Sequence, residues 1–425
     1  MQMKIHNILY KVAIFSLLSQ PLSATSLKQI IDSTLVNNQN IQAQDYEVKS
    51  AKENYKSAKN IFHPTLNIGA NHLRLDKDMR QNQIGSTTTG YVKLGLNIYD
   101  GGKSIATKNQ KNYQYQSAQF NNITTKKQTI LQTITLYFNT KTVTDNIKVY
   151  KEKAIALKAE YQRMQEKYDI KMATKDEVLK LQAEYDSNSV IIEELKYQQM
   201  ELLQNLNLMS GVGIGELEKS LLANYNLPNT DDISYQNSPN IKALELSIKA
   251  QNESTKSISS LYKPTLKIED SLNFYKYDDY NNKLLTDLPD TQNQLMINLN
   301  FNLFDTSSSK QVEASKYAKL SLENRLQYLK SQEKMKFELS KRKLQTQKSK
   351  IKSLKSAVKM GESVYEIVKL KYQNGIVDNI TYLDALSKKV YNLALYRQAL
   401  NDYEIAKANY YFASGVEYEE VLKDW

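Results

Sequence analysis

Apolar residues keep two rhythms along this chain, and the two are kept apart. In four short stretches they alternate with mostly polar neighbours. Leu295, Ile297, Leu299, Phe301 and Leu303 alternate with Met296, Asn298, Asn300 and Asn302, and Val92, Leu94, Leu96 and Ile98 with Tyr91, Lys93, Gly95 and Asn97. Leu266, Ile268, Leu272 and Phe274 stand opposite Lys267, Glu269, Ser271 and Asn273. Leu66, Ile68 and Ala70 make a weaker fourth case, with a register slip expected near His72-Leu73. A period of two predicts strands with one apolar and one polar face.

Elsewhere the apolar step is three or four. Ile155, Leu157, Tyr161, Met164 and Tyr168, then Val178, Leu181 and Tyr185, predict a helical seam buried against a partner helix. Neither Gly nor Pro occurs between Gly102 and Gly211, and only Gly361 and Gly375 interrupt the run from Ser307 to Ser414. Such runs predict long coiled-coil hairpins; a helix from Gly102 to Ile170 would be roughly 100 Å long. The breaks fall at Tyr168–Thr174 and Tyr372–Asp378, with Thr174 and Asp378 as N-caps of the returning helices.

The two rhythms meet twice in the same way. Asn40 to Ile68 reappears about 200 residues later as Asn240 to Ile268, without a gap. Both copies end on Pro-Thr-Leu-x-Ile, at Pro64 and Pro264, where helix is expected to become strand. This predicts two structural repeats, residues 25–210 and 239–414, with a linker at 211–238 and a final segment at 415–425. The period is too long for a solenoid of small units.

Composition narrows the compartment. Lys4, the apolar stretch Ile8–Leu18 and Ser23-Ala24 read as a secretory signal peptide over residues 1–24. No later stretch approaches the ~18–20 apolar residues of a membrane-spanning helix. There is no cysteine, so no disulfide or thiolate chemistry; of three histidines, His63 and His72 lack metal-ligand spacing. The formal charge is +11, but Lys and Glu are interspersed and no nucleic-acid motif is present, so a solvated helical surface is expected. No G-x-S-x-G, P-loop or H-E-x-x-H occurs; no enzyme, cofactor or metal is expected.

Four strands cannot close a membrane barrel, and lipid tolerates no open sheet edge. Several copies pooling their strands could close one; three copies would give twelve strands, within the range of known barrels. At this point the motifs are recognisable. Leu35-x-x-Asn38-x-Asn40-Ile41, the twofold Pro-Thr-Leu, Leu96-Asn97-Ile98-Tyr99-Asp100-Gly101-Gly102-Lys103 with its counterpart Asn302-Leu303-Phe304-Asp305, and Tyr372-x-x-Gly375 followed by Tyr382-Leu383-Asp384-Ala385 occur in order. The chain from Leu27 to about Val416 resembles the TolC family of outer-membrane efflux proteins.

The resemblance implies a mainly helical trimer: a twelve-stranded β-barrel in the Gram-negative outer membrane over a long periplasmic α-barrel. Residues 211–238 and 415–425, Trp425 included, would form a belt, and Asp76–Gly90 and Tyr277–Thr291 extracellular loops. It implies a duct for drugs, small molecules or polypeptides, in tripartite efflux or type I secretion, with a periplasmic adaptor and an RND or ABC inner-membrane pump. Asp384 matches an acidic constriction residue; Thr381 and Val377 replace charged neighbours, and Glu177 beside Asp176 takes the acidic place in the first half. Lys171, Met172, Thr174, Asn374, Gly375 and Ile376 would be the adaptor-docking tips. A structural or adhesive coiled-coil protein of the envelope is the alternative; it leaves the paired strands unexplained.

Overall fold

The computed structural model describes residues 25–75, 84–218, 235–278 and 287–415. The signal segment, the tips of both expected loops, most of the linker and Trp425 therefore lie outside the described residues.

Two short helices open the chain, α1 (Leu27–Asn37) and α2 (Gln39–Lys59). Asn38 separates them. Its Oδ1 accepts from the Asn40 and Ile41 N–H groups at 3.0 and 3.2 Å, capping α2, and its Nδ2 donates to the Met209 carbonyl at 2.9 Å. The Asn-rich motif is thus a cap and a crosslink at once. A 3-10 turn over Asn60–Phe62 and then Pro64 lead into strand β1 (Thr65–Arg74), followed by β2 (Ser86–Asp100). Helix α3 (Lys103–Asp169) and helix α4 (Lys175–Ser210) form the first hairpin.

The second half repeats this order. Helix α5 (Pro239–Ser259), a 3-10 turn over Ser260–Tyr262 and Pro264 precede β3 (Thr265–Asp278) and β4 (Thr291–Asn300). Helices α6 (Thr306–Gln373) and α7 (Asn379–Ala413) make the second hairpin. Both prolines stand one residue before a strand, as expected. Proline lacks an N–H and disfavours helix in the residue before it, which suits this position.

The strands form one antiparallel sheet in the order β1-β2-β3-β4. Residues directly opposite share a face. One face therefore collects Leu66 and Ile68, Val92 and Leu94, Ile268 and Leu272, and Ile297 and Leu299. The other collects Asn67, Lys93, Lys267, Glu269, Asn273 and Asn298, with Lys93 paired to Glu269 at 3.0 Å and Lys267 also on Glu269. Asp270, opposite Leu94 and Leu295, is an acid on the apolar face.

Three expectations about the strands need correction. The pairing of β1 runs unbroken through His72 and Leu73; the register shift is in β2, between Asn97 and Tyr99. β4 ends at Asn300, so Phe301 and Leu303 lie outside it. Asn300 faces Thr265, and Pro264 before it has no N–H to extend the ladder. Ser86–Gly90 and Tyr277–Asp278, expected in loops, are strand.

At the β2–α3 junction Gly101 and Gly102 both have positive φ. A Cβ on Gly101 would stand 2.7 Å from the Ser260 carbonyl, so only glycine lets the two junctions approach this closely. Apolar burial is divided among three clusters along the helices. One joins α1 to the middle of α3 (Ile30, Ile31, Ile130, Ile134), a second lies near the turns, and a third joins α6 to α7 (Leu344, Tyr403). Leu157 is fully buried, whereas Ile155 is 72% exposed and Tyr168 38%, so these two leave the predicted seam. Among the described residues no helix is long and apolar enough to cross a membrane.

Candidate functional site at the hairpin tips

The turns at the far ends of the two hairpins have the same backbone. In the first, the Ile170, Lys171 and Met172 N–H groups donate to the carbonyls of Glu166, Tyr168 and Lys167 at 3.3, 2.9 and 2.7 Å. In the second, Asn374, Gly375 and Ile376 donate to Leu370, Tyr372 and Lys371 at 3.1, 3.1 and 2.8 Å. This closing pattern requires a left-handed residue just past the helix. Gly375 takes it at φ 71 and Lys171 at φ 63.

Both returning helices are capped where the sequence indicated. The Glu177 carboxylate accepts from the Thr174 N–H at 3.0 Å and from its hydroxyl at 3.1 Å. Asp378 accepts from the Thr381 N–H at 2.9 Å; the Thr381 hydroxyl and N–H hold its carboxyl below the usual carboxylate range. Asp176 is lowered likewise, by a hydrogen bond from Thr174 and then by Lys180, 3.4 Å away.

Glu177 and Thr381, expected at a constriction, are thus engaged in caps within one chain. Asp384 is 60% exposed and pairs with Lys388 at 2.7 Å, one turn along α7. Val377 is half-buried against the apolar cluster behind the turns. Lys171, Met172, Thr174, Asn374, Gly375 and Ile376 are all exposed.

Behind the tips lies a cluster that the sequence pattern did not reveal. Tyr372 and Tyr382 stack with ring centroids 4.8 Å apart, and Tyr365 meets Tyr382 at 6.0 Å. The Arg163 guanidinium lies 4.8 Å over the Tyr372 ring and is held by Glu160 at 2.8 Å. Arg163 belongs to the first hairpin and Tyr372 to the second, so this contact ties the hairpins together close to their turns. Burial, and then the hydroxyl of Tyr365, pushes the Tyr382 phenol far up; burial and then Glu160 raise Tyr372. The seven-residue spacing of Tyr365 and Tyr372 could have revealed the aromatic stripe. Nothing local marks Arg163, because its partner is about 200 residues away.

One long helical hairpin per half, following two strands that are entered at a proline, is an architecture shared with known proteins. Residues 30–212 match the model of the family described as Outer membrane efflux protein. A membrane protein from Pseudomonas aeruginosa has the same fold at 14% identity, with a TM-score of 0.82 over 92% of this chain and 93% of that one. VceC from Vibrio cholerae aligns at 12% identity, TM-score 0.80, over 92% and 96%. The Campylobacter jejuni CmeC outer membrane channel aligns at 16% identity, TM-score 0.80, over 94% and 89%. No protein of curated function matches the sequence. Residues 30–212 thus match the outer membrane efflux protein family, and the chain as a whole shares the fold of these solved structures.

Proposed function

We propose that three copies of this chain form an exit duct: a twelve-stranded barrel in the outer membrane, continued by an α-barrel across the periplasm of a Gram-negative cell. The sheet carries this reading. It has one apolar face, and β1 and β4 each have a partner on one side only. An unpaired edge cannot remain in lipid, since each unmet backbone group costs several kcal/mol, on the order of the whole net stability of a domain when summed. Pairing β4 of one copy with β1 of the next removes every edge. Lys93, Lys267 and Glu269 then face the lumen, and the leucines and isoleucines face lipid.

The same closure gives a partner to apolar side chains left exposed on the helices. Met360, Val364, Ile367 and Leu370 form a stripe on α6 at steps of four and three, the spacing of a helix–helix seam. At the tips, Asp384 would form a ring of three carboxylates about the axis, with Asp176, Glu177, Thr381 and Val377 near it. The exposed turn residues Lys171, Met172, Thr174, Asn374, Gly375 and Ile376 would receive the helical hairpin of a periplasmic adaptor serving an RND or ABC pump. Drugs, small molecules or polypeptides would pass, in efflux or type I secretion, without bond chemistry.

The experiment is fractionation followed by conductance. A heat-modifiable trimer in outer-membrane fractions that conducts in planar bilayers is expected. A detergent-free soluble fibre without conductance would establish the alternative, an adhesive coiled-coil protein.

A further inference from the structure

The polar face of the sheet carries its charge in one place. Lys93 stands 3.0 Å from one oxygen of Glu269, and Lys267, two residues earlier on β3, pairs with the other. The Glu269 side chain is 13% exposed, against 40% for Lys93 and 46% for Lys267, so solvent meets the ammonium groups before the carboxylate. One lysine would neutralise the glutamate; two leave one positive charge per chain. Elsewhere in the described paired rows this face carries amides, hydroxyls and a few apolar side chains. Asp100, in the last row opposite Thr265, is the exception. Its carboxylate accepts from the Ser104 N–H at 2.8 Å and from the Ser104 hydroxyl, at the N-terminus of α3, whose partial positive charge offsets it.

The three residues sit at the helix end of the sheet. Lys267 and Glu269 are the third and fifth residues of β3, and Lys93 faces Asn67, the third residue of β1. At ~3.3 Å per residue they lie within ~15 Å of the proline junctions. In a barrel pooled from three copies, symmetry puts the three sets at one level. Twelve strands ~4.8 Å apart and tilted ~40° enclose a radius of roughly 12 Å. Ammonium groups carried inward on four-carbon stems then stand within about one Debye length, ~8 Å at physiological salt, of the axis. Their field therefore reaches across the opening instead of being screened at the wall.

We propose that Lys93, Lys267 and Glu269 make the inner mouth of the barrel a positively charged ring that selects small organic anions, such as carboxylates, over cations. The inference rests on the proposed duct, because only closure turns the polar face of the sheet into a lumen. Lys93 and Lys267 are the specificity-determining residues, and Glu269 positions them while cancelling half their charge. A like-signed ring in a narrow lumen raises the local concentration of the opposite ion and excludes its own sign. The passage beyond it, lined by amides and hydroxyls, adds no fixed charge of either sign among the described residues.

Reversal potentials of the full chain in planar bilayers, across gradients of potassium chloride and then potassium benzoate, test this. Lys93→Gln with Lys267→Gln should lower the anion-to-cation permeability ratio by about twofold or more, and Glu269→Gln should raise it by a similar factor. Both shifts should shrink at high salt. Each is read against the wild type, so charge at the hairpin tips leaves its sign unaffected. A chloride shift without a benzoate shift would overturn the organic-anion class. A second series keeps Glu269 paired and adds charge only after the pore has inserted. The chain has no cysteine, so Lys93→Cys and Lys267→Cys, made singly, each offer one thiol per chain. An ammonium-bearing thiol reagent should restore the wild-type ratio, and a sulfonate-bearing one should lower it further. No conductance from the wild type would remove the duct itself. A conducting pore whose permeability ratio ignores these substitutions and reagents would overturn the ring alone.

Discussion

Lys171 holds a left-handed backbone at the first tip that Gly375 holds at the second. A side chain there crowds the following carbonyl at a cost of about 1 kcal/mol, which glycine avoids. Lys171→Gly should therefore slow hydrogen exchange of the 166–178 amides by a factor of several, and Gly375→Ala should speed that of 370–382. No change in either would mean that the turns are held by partners rather than by their own backbone. Tyr382, fully buried between Tyr365 and Tyr372, gives a larger effect: Tyr382→Ala should cost about 3–5 kcal/mol. Its phenol also makes stability depend on pH. The folded pKa lies above the ordinary value of 10.0, so the stabilisation is complete below pH 10 and is lost as pH rises beyond it. Tyr382→Phe should flatten alkaline denaturation measured by circular dichroism; an unchanged alkaline slope would assign that slope to other groups. Residues were legible in the sequence where the cause is local: Thr174, Asp378 and Gly375 act within their own turn. Arg163 was not, since its role depends on a ring from the other hairpin.

At the scale of elements, the proline junctions, the four strands and the helix ends were legible, because Pro, Gly and capping residues act on the backbone beside them. Which side of each helix is buried was not. α3 packs against α2, α4, α5 and α7, so its burial wanders, and a three-and-four spacing cannot say that Leu157 is inside while Ile155 is out. The alternation beyond Asn300 misled for a related reason: alternation describes side chains, whereas the ladder stops when β3 has no more N–H groups to offer. Asp270 shows the value of the register. Placed by pairing among Leu94, Leu295 and their neighbours, it would face lipid in the proposed barrel. A carboxylate there is unfavourable by about 1 kcal/mol or more, less than the figure for Lys or Arg at the same depth. Asp270→Leu should raise the temperature at which the trimer dissociates on gels. A lower temperature would mean that Asp270 meets a polar partner in the assembly.

For the whole molecule, the proposed closure at both ends would decide what the chain can do. At the tips, removing Asp384 should lower single-channel cation conductance and weaken cation selectivity, because the proposed ring of like charges would attract cations while repelling itself. Lys388, 2.7 Å away, offsets part of that charge, so the change should be modest, and Lys388→Gln should shift selectivity in the opposite direction from the wild type. At the other end the test is structural. If β4 pairs with β1 of the next copy, the two strands are antiparallel, and residues that face the lumen in one must sit beside lumen-facing residues in the other. Asn67 lies on the polar face of β1, as Gln292, Gln294, Met296, Asn298 and Asn300 do on that of β4. Cysteine at Asn67 combined in turn with cysteine at each of these five should give covalent trimers for one of them, or two adjacent ones, and none for Ile297 or Leu299 on the opposite face. A one-residue slip would invert this result by turning every side chain to the other face. Crosslinks to Ile297 or Leu299 would therefore reverse the lumen and lipid faces, and the absence of crosslinked species at every position would remove the pooled barrel.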